Sequence, residues 1–365
     1  MAKADTYKLE LTDPKLKIEK EKLLSETVKA VDLEKSKSIA DLVESFKQMS
    51  VQARRIGSCA EVLENMLTDT DRPTVMLGLA GPLVAAGLRK TIRDMIAHGM
   101  VDVVVSTGAI LYQDLYQARG FKHFRGSPDA DDNKLRDLLV DRIYDTYVDE
   151  EKFWETDCWI GQFADTLAPG SYSSRLFLEK LGGILKDENS ILATAVQRGV
   201  PVFAPALNDS SIGIGLTEHY HRCVKEGRKG VTIDSIRDNY ELTQIVVKSR
   251  KTAAIYIAGG VPKNYINDSV VMGYIFKKNS GGHTYALQLT TDVPHWGGLS
   301  GSTLDEATSW GKINKKASKA MAFVEPSVGL PLLVGYALQK NLGRERKPLE
   351  YSWDNDLLTS LQVKG

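Results

Sequence analysis

The sequence predicts an α/β protein: a mostly parallel sheet with helices on both faces, preceded by an N-terminal helical segment. Three observations carry this reading. Short apolar runs recur along the chain: TVMLGLAG (74–81), VDVVVSTGA (101–109), VPVFAPAL (200–207), AAIYIAGG (253–260), TYALQLTTD (284–292) and AMAFVEPS (320–327). Continuous runs of this length belong to strands buried on both faces. Helical patterns separate the runs, as at 83–97 and 330–340, which is what crossovers between parallel strands require. Nearly every run ends in small or polar residues, and the carboxyl ends of such strands are where an open α/β sheet places its ligand.

In chain order, residues 1–24 are charged and aperiodic and read as an arm outside the core. Residues 25–68 read as helical, because Val28, Val31, Ile39, Leu42, Val43 and Phe46 recur at helical spacing, as do Ile56, Ala60, Val62, Leu63 and Met66. One domain is expected over 25–345, with a C-terminal tail at 346–365. The strand ends carry Gly81, Ser106-Thr107-Gly108, Asn208-Asp209-Ser210-Ser211, Gly259-Gly260 and Thr290-Thr291-Asp292. Any one of these is also an ordinary strand-to-helix turn. Together they suit a dinucleotide, which needs close backbone approach and hydrogen-bond donors. No G-x-G-x-x-G follows the first strand, since Gly78, Gly81 and Gly87 have the wrong spacing, and there is no phosphate-loop lysine.

Composition narrows the function. Lys+Arg and Asp+Glu are both 47, so the formal net charge is zero. That argues against a nucleic-acid binder held by phosphate contacts and against a polybasic membrane anchor. Cys59, Cys158 and Cys223 are sparse and odd in number, which fits a reducing compartment rather than a disulfide framework. The first residues show no apolar run or cleavage pattern, and the stretch 321–337 is broken by Glu325, Pro326 and Pro331. The expectation is a cytoplasmic protein without a membrane span.

The stretch LDEATSWGKI (304–313) holds the sharpest chemistry. Thr303-x-x-Glu306 resembles a capping box, so a short helix is expected over about 303–310, with Gly311 as its stop. Glu306 and Trp310 are four apart and share a helix face. A chain reversal at Gly311 would turn Lys312 toward them, and a lysine partly desolvated beside another cation can act as an imine-forming nucleophile. Local physics leaves a second reading open: Glu306 as cap, Trp310 as core anchor and Lys312 as a solvated cation at the helix end. His219, His221 and Cys223 do not share one helix face, and no metal site is expected from them. Ser171–Arg175 reads as a helix cap, and Lys315, Lys316 and Lys319 as solvated surface.

The SWGK stretch, with Glu306 six residues before the lysine, resembles the active-site lysine signature of deoxyhypusine synthases. VQARRIGSCAEVLENML (51–67), GLRKTIRDMIAHGMVDVVVSTGA (87–109), VPVFAPALNDSSIG (200–213), AGGVPKNYI (258–266) and FVEPSVGLPLLV (323–334) have counterparts in the same order. The resemblance runs from near residue 25 to near residue 341 and points to the bacterial deoxyhypusine-synthase-like branch. It implies a Rossmann-like unit and a homotetramer built as a dimer of dimers, with NAD and substrate at the dimer interface. The implied reaction moves an aminobutyl group from spermidine through a lysine imine to an acceptor amine, with no net redox change.

By this resemblance Lys312 forms the imine, and Trp310 and Glu306 line the amine pocket. Thr107, Gly108, Asp209, Gly259, Gly260, Thr291, Ser300 and Gly301 contact NAD, with Glu325 where the family usually has an aspartate. Gln113 replaces the usual glutamate, and Gly81-Pro82 a Ser-Asn pair. Pocket carboxylates of the family are replaced by Ile214, Trp296 and Leu299, and a histidine by Asn264. Asp268, one turn past Asn264, can compensate. Loss of carboxylates weakens a site for a polycation. The reading is therefore an aminoalkyl transferase with a small amine acceptor, as in homospermidine formation. The alternatives are a synthase that modifies a lysine of a translation factor of the initiation-factor-5A type, and a polyamine- or nucleotide-binding protein without catalysis.

Overall fold

A computed structural model describes residues 9–364 of the chain. Six strands form one sheet: β1 (Thr74–Leu79), β2 (Val103–Ser106), β3 (Val202–Phe203), β4 (Thr252–Ile257), β5 (His283–Leu289) and β6 (Ile313–Ala322). Their order in space is β6-β5-β4-β1-β2-β3, and every pair is parallel. The chain builds from β1 through β2 to β3, then crosses back to lay β4, β5 and β6 on the other side of β1. This doubly wound order has its switch point between β1 and β4, the place where open α/β sheets receive ligands at their carboxyl ends.

Alternate residues of each strand enter two separate cores, as the period of two dictates. Val75, Leu77 and Leu79 of β1, with Ala253, Ile255 and Ile257 of β4, pack against the helices Val51–Thr68, Arg89–Ala97 and Pro326–Gln339. Met76, Ala254 and Tyr256 point the other way, onto Ser235–Lys248, Gly260–Ile275 and Leu304–Ser309. β1, β2 and β4 therefore read as unbroken apolar runs because neither face meets water.

Several elements differ from the sequence reading. Residues 25–38 are turns and coil rather than helix, with Val28 exposed, so the helices begin only at Ile39 and Val51. The helix Pro14–Leu23 buries no residue, and the first eight residues of the expected arm lie outside the described residues. β3 is only two residues long. β6 begins at Ile313, seven residues before the apolar run, so Lys315, Lys316 and Lys319 lie on this strand, and Lys319 pairs with Asp305 at 2.7 Å. The segment 346–365 contains an antiparallel hairpin, Leu349–Asp354 with Leu357–Val363, whose Leu358 is fully buried. A small antiparallel sheet of Phe124–Arg125, Val140–Ile143 and Thr146–Asp149 was not foreseen. Among the described residues no helix is long and apolar enough to cross a membrane.

Candidate active site

The parallel register sets the carboxyl ends level: Leu79 lies opposite Ser106 and Ile257, and Leu289 opposite Ile257 and Ala322. The residues that follow these ends form one rim. At the switch point Ala258 and Gly260 have φ of +57° and +59°, a left-handed stretch that turns the chain sharply off β4. Gly259 packs so tightly that a Cβ would lie 2.5 Å from Ser300 Cα. The Gly260 amide donates to Ser300 Oγ at 3.0 Å, and Gln288 Nε2 donates to the carbonyls of Ala258 at 2.7 Å and Ser300 at 2.8 Å. Gly259, Gly260 and Ser300 are thereby joined at the rim, and Gly301 packs against the Val293 backbone beside them.

Thr107 and Gly108 open a helix at the end of β2, with Gly108 pressed against Ser210, the neighbour of the exposed Asp209. Thr291 is exposed just beyond β5. Glu325 sits past β6 at the far end of the rim. Its carboxylate caps the helix Pro326–Gln339, accepting from the Ser327 amide at 2.8 Å and from the Ser327 hydroxyl. Gln113 accepts the Ala85 amide at 3.1 Å and so orders the turn after β1.

The helix predicted before Lys312 forms as Leu304–Ser309, and Thr303 Oγ1 accepts the Glu306 amide at 3.0 Å. It ends in a Schellman arrangement: the Gly311 amide donates to Thr308 O at 3.0 Å and the Lys312 amide to Ala307 O at 3.1 Å. Gly311 has φ +72°. The Lys312 side chain is turned back over the Trp310 ring, with Nζ 5.3 Å from its centroid. Nζ also bonds Asp268 Oδ1 at 3.0 Å and donates to Asn264 Oδ1 at 3.2 Å, while Asn264 Nδ2 donates to Asp268 Oδ2 at 2.8 Å. Lys312, Asn264, Asp268 and Trp310 therefore meet. The Glu306 carboxylate is exposed and bonds none of them; only its charge reaches the site.

Sequence reasoning passed over Lys263. It lies on the buried stripe of its helix with Ile266, Asn267 and Val270, a spacing that could have revealed it. It is 1% exposed, and its Nζ donates to Ser302 O at 2.6 Å, Ser302 Oγ at 3.0 Å and Leu299 O at 3.2 Å. Burial pushes its pKa down to about 8; the Lys312 charge lowers it further, while Glu306 and Asp292 oppose the fall. Leu299, whose carbonyl accepts from Lys263, and Trp310, beneath Lys312 Nζ, are exposed, as are Trp296 and, on the helix Ser211–Glu226, Ile214.

Asp165, His219 and Cys223 also converge. His219 Nδ1 bonds Asp165 Oδ1 at 2.9 Å and Nε2 accepts the Val231 amide at 2.9 Å, so protein groups use both ring nitrogens. Arg222 and Arg228 neutralise Asp165. The cluster ties the helix Ser211–Glu226 to the strand that follows it.

The deoxyhypusine synthase family model matches residues 41–337. The chain is 43% identical over 324 residues to a "Probable deoxyhypusine synthase 2" of Methanosarcina mazei, covering 88% of this chain and 92% of that protein. It is 43% identical over 333 residues to a "Deoxyhypusine synthase-like protein" of Chlorobaculum tepidum, with coverage of 88% and 92%. A relative of the same description from Coxiella burnetii is 40% identical over 339 residues, 91% of this chain and 95% of that one. A crystal structure of an Entamoeba histolytica protein assigned as a deoxyhypusine synthase superposes with a TM-score of 0.59 at 18% identity, over 87% of this chain and 99% of that one, and supports the fold.

Proposed function

The chain belongs to the deoxyhypusine synthase family, and on that premise we propose that it is an NAD-dependent transferase that moves an aminobutyl group from spermidine or a related polyamine through an imine on Lys312. The observation that carries this is the placement of Lys312 Nζ, turned by Gly311 over Trp310 and held by Asp268 and Asn264. Spacing along one short helix cannot produce that by itself.

NAD suits the rim. The rim lies at the switch point of a doubly wound sheet, and its backbone turns tightly there, with Ala258 and Gly260 at positive φ and Gly259 packed on Ser300. Thr107, Gly108, Asp209, Gly259, Gly260, Thr291, Ser300 and Gly301 would hold it, with Glu325 at the far end. When bound, NAD would take a hydride from the carbon beside the substrate's secondary amine and return it at the end of the cycle. Lys312 must shed a proton to add to that carbon, and Asp268 Oδ1, at 3.0 Å, is placed to receive it. The new C–N bond to Nζ forms as the bond to the departing diamine breaks, and the diamine leaves with the proton. Trp310 offers its face to the cationic substrate and Glu306 adds negative charge at the mouth.

The acceptor in this reading is a small amine, because Ile214, Trp296 and Leu299 present hydrocarbon where a longer polycation would want carboxylates. A protein lysine is the second reading, favoured by Trp310, which at 66% exposure leaves the site open to a bulky nucleophile. The exposed Trp296 also suits a subunit contact within a homotetramer.

The test is incubation with NAD and labelled spermidine followed by borohydride. Label on the peptide containing Lys312, lost in Lys312→Ala, is expected. No adduct with any di- or polyamine would sink the assignment. Transfer of label to free putrescine rather than to an initiation-factor-5A-like protein decides the acceptor.

A further inference from the structure

Lys263 is a buried ammonium that, among the described residues, has no carboxylate bonded to it. All three of its protons go to one short segment: Leu299 O, Ser302 O and Ser302 Oγ. An ammonium carries three donors, so the set is complete. Neutral acceptors seldom justify burying a cation. Here the arrangement joins two parts of the site. Lys263 precedes Asn264 and lies five residues before Asp268 on the helix Gly260–Ile275, whose Asn264 and Asp268 side chains hold Lys312 Nζ. The segment it grips contains Leu299 and Ser300, follows the exposed Trp296, and leads into the helix Leu304–Ser309 that precedes Gly311. The Gly260 amide and Gln288 fasten the same segment at Ser300. Of these ties, only the one from Lys263 carries a charge.

We propose that Lys263 is a positioning residue: its ammonium clamps the 299–302 segment onto the helix that carries the partners of Lys312, so that the cofactor rim and the amine pocket keep one geometry. In its link to Lys312 this rests on the reading of Lys312 as the nucleophile. The clamp has a pH dependence. The charged groups facing Lys263 are Glu306 and Asp292, which favour its ammonium, and Lys312, which opposes it. With its pKa at about 8, the clamp is mostly charged at pH 7 and below. As the pH rises through it, one donor is lost and the grip loosens.

The test compares amide hydrogen exchange in peptides covering 293–303 between the full-length protein and Lys263→Met. At pH 7 the variant's peptides are expected to exchange about tenfold faster, as loss of one charged tether predicts. The gap should narrow to about twofold by pH 9.5, when the unmutated lysine is neutral. A conservative buried apolar replacement with a purely structural effect would give a gap that does not change with pH. Equal exchange at pH 7, or a gap constant across pH 8, overturns the proposal. Ser302→Ala removes one acceptor at a partly exposed position and should give a smaller effect with the same pH trend. If Lys263→Met does not fold, that variant and the pH series of the unmutated protein decide. In the borohydride assay the Lys263→Met adduct should need about tenfold more NAD for half-maximal yield, with the maximal yield little changed. If the unmutated protein forms no adduct, the proposed function fails, and the exchange result still decides the clamp.

Discussion

At Gly311 the backbone sits at φ +72°, and a Cβ there would come within 3.0 Å of the Tyr274 hydroxyl. An alanine must bear the left-handed conformation, at about 1 kcal/mol, and push that hydroxyl aside. If it relaxes instead, the Schellman bonds break and Lys312 no longer returns over Trp310. Gly311→Ala is therefore expected to lose about 1 kcal/mol in urea unfolding and to reduce adduct formation at Lys312 by more than that loss explains. Lys312→Arg should abolish the adduct with stability intact. This residue was legible in the sequence because its determinants are local: a cap at Thr303, a glycine at 311 and a tryptophan between. Lys263 was not, because its acceptors come from 36 and 39 residues away in the chain, a separation no local pattern reports. Asp268 was visible only through the family resemblance, as a carboxylate one turn past Asn264.

Among the elements, the interior strands were readable because both faces are apolar. β6 was not. Among the described residues it is the last strand of the sheet, next to β5 alone, and its first residues, INKKASK, are mostly polar. Charged edge strands are a common guard against pairing with other chains, and they erase the apolar signal that marks a strand. The helical spacing over 25–38 misled for the opposite reason: Val28 recurs at the right interval but has nothing to pack against. The hairpin Leu349–Asp354 and Leu357–Val363 lacked a long apolar run, yet it is fastened in several ways. Leu358 is fully buried. The Arg175 guanidinium lies 4.1 Å from the centroid of Trp353. Gln244 bonds both Asp356 O and the Leu358 amide, and the Tyr351 hydroxyl donates to Asp102 O at 2.9 Å, at the amino end of β2. Leu358→Ala should cost about 2–4 kcal/mol by chemical denaturation. Because the hairpin docks at the amino ends of the strands, the yield of the Lys312 adduct at a temperature where both proteins are folded should not change.

Over the whole molecule, pH acts through buried groups of opposite sign. His283 is fully buried, its Nδ1 bonded to Thr252 Oγ1 at 2.8 Å and its Nε2 without a partner. Burial lowers its pKa to about 4. The unfolded chain binds that proton near pH 6.5 and the folded one only near 4, so the stability contributed by the neutral ring is present above 6.5 and lost as pH falls toward 4. Asp238 does the reverse. It is fully buried, with Oδ2 unpartnered; burial first, and the charge of Glu241 in addition, raise its pKa to about 7. Its contribution is present below about pH 4 and lost as pH rises through 7. Between pH 4 and 6.5 the two contributions run in opposite directions. Substitution separates them. Relative to the unmutated protein, His283→Asn should gain on the order of 1 kcal/mol for each pH unit below 6.5, whatever its baseline loss at pH 7.5. Asp238→Asn should gain on the same order for each unit from pH 4 up to 7 and then level off. Unfolding free energies of the three proteins at pH 4.5, 5.5, 6.5 and 7.5 check this. Parallel pH dependences would mean that the two groups are solvated in the folded protein, contrary to their burial.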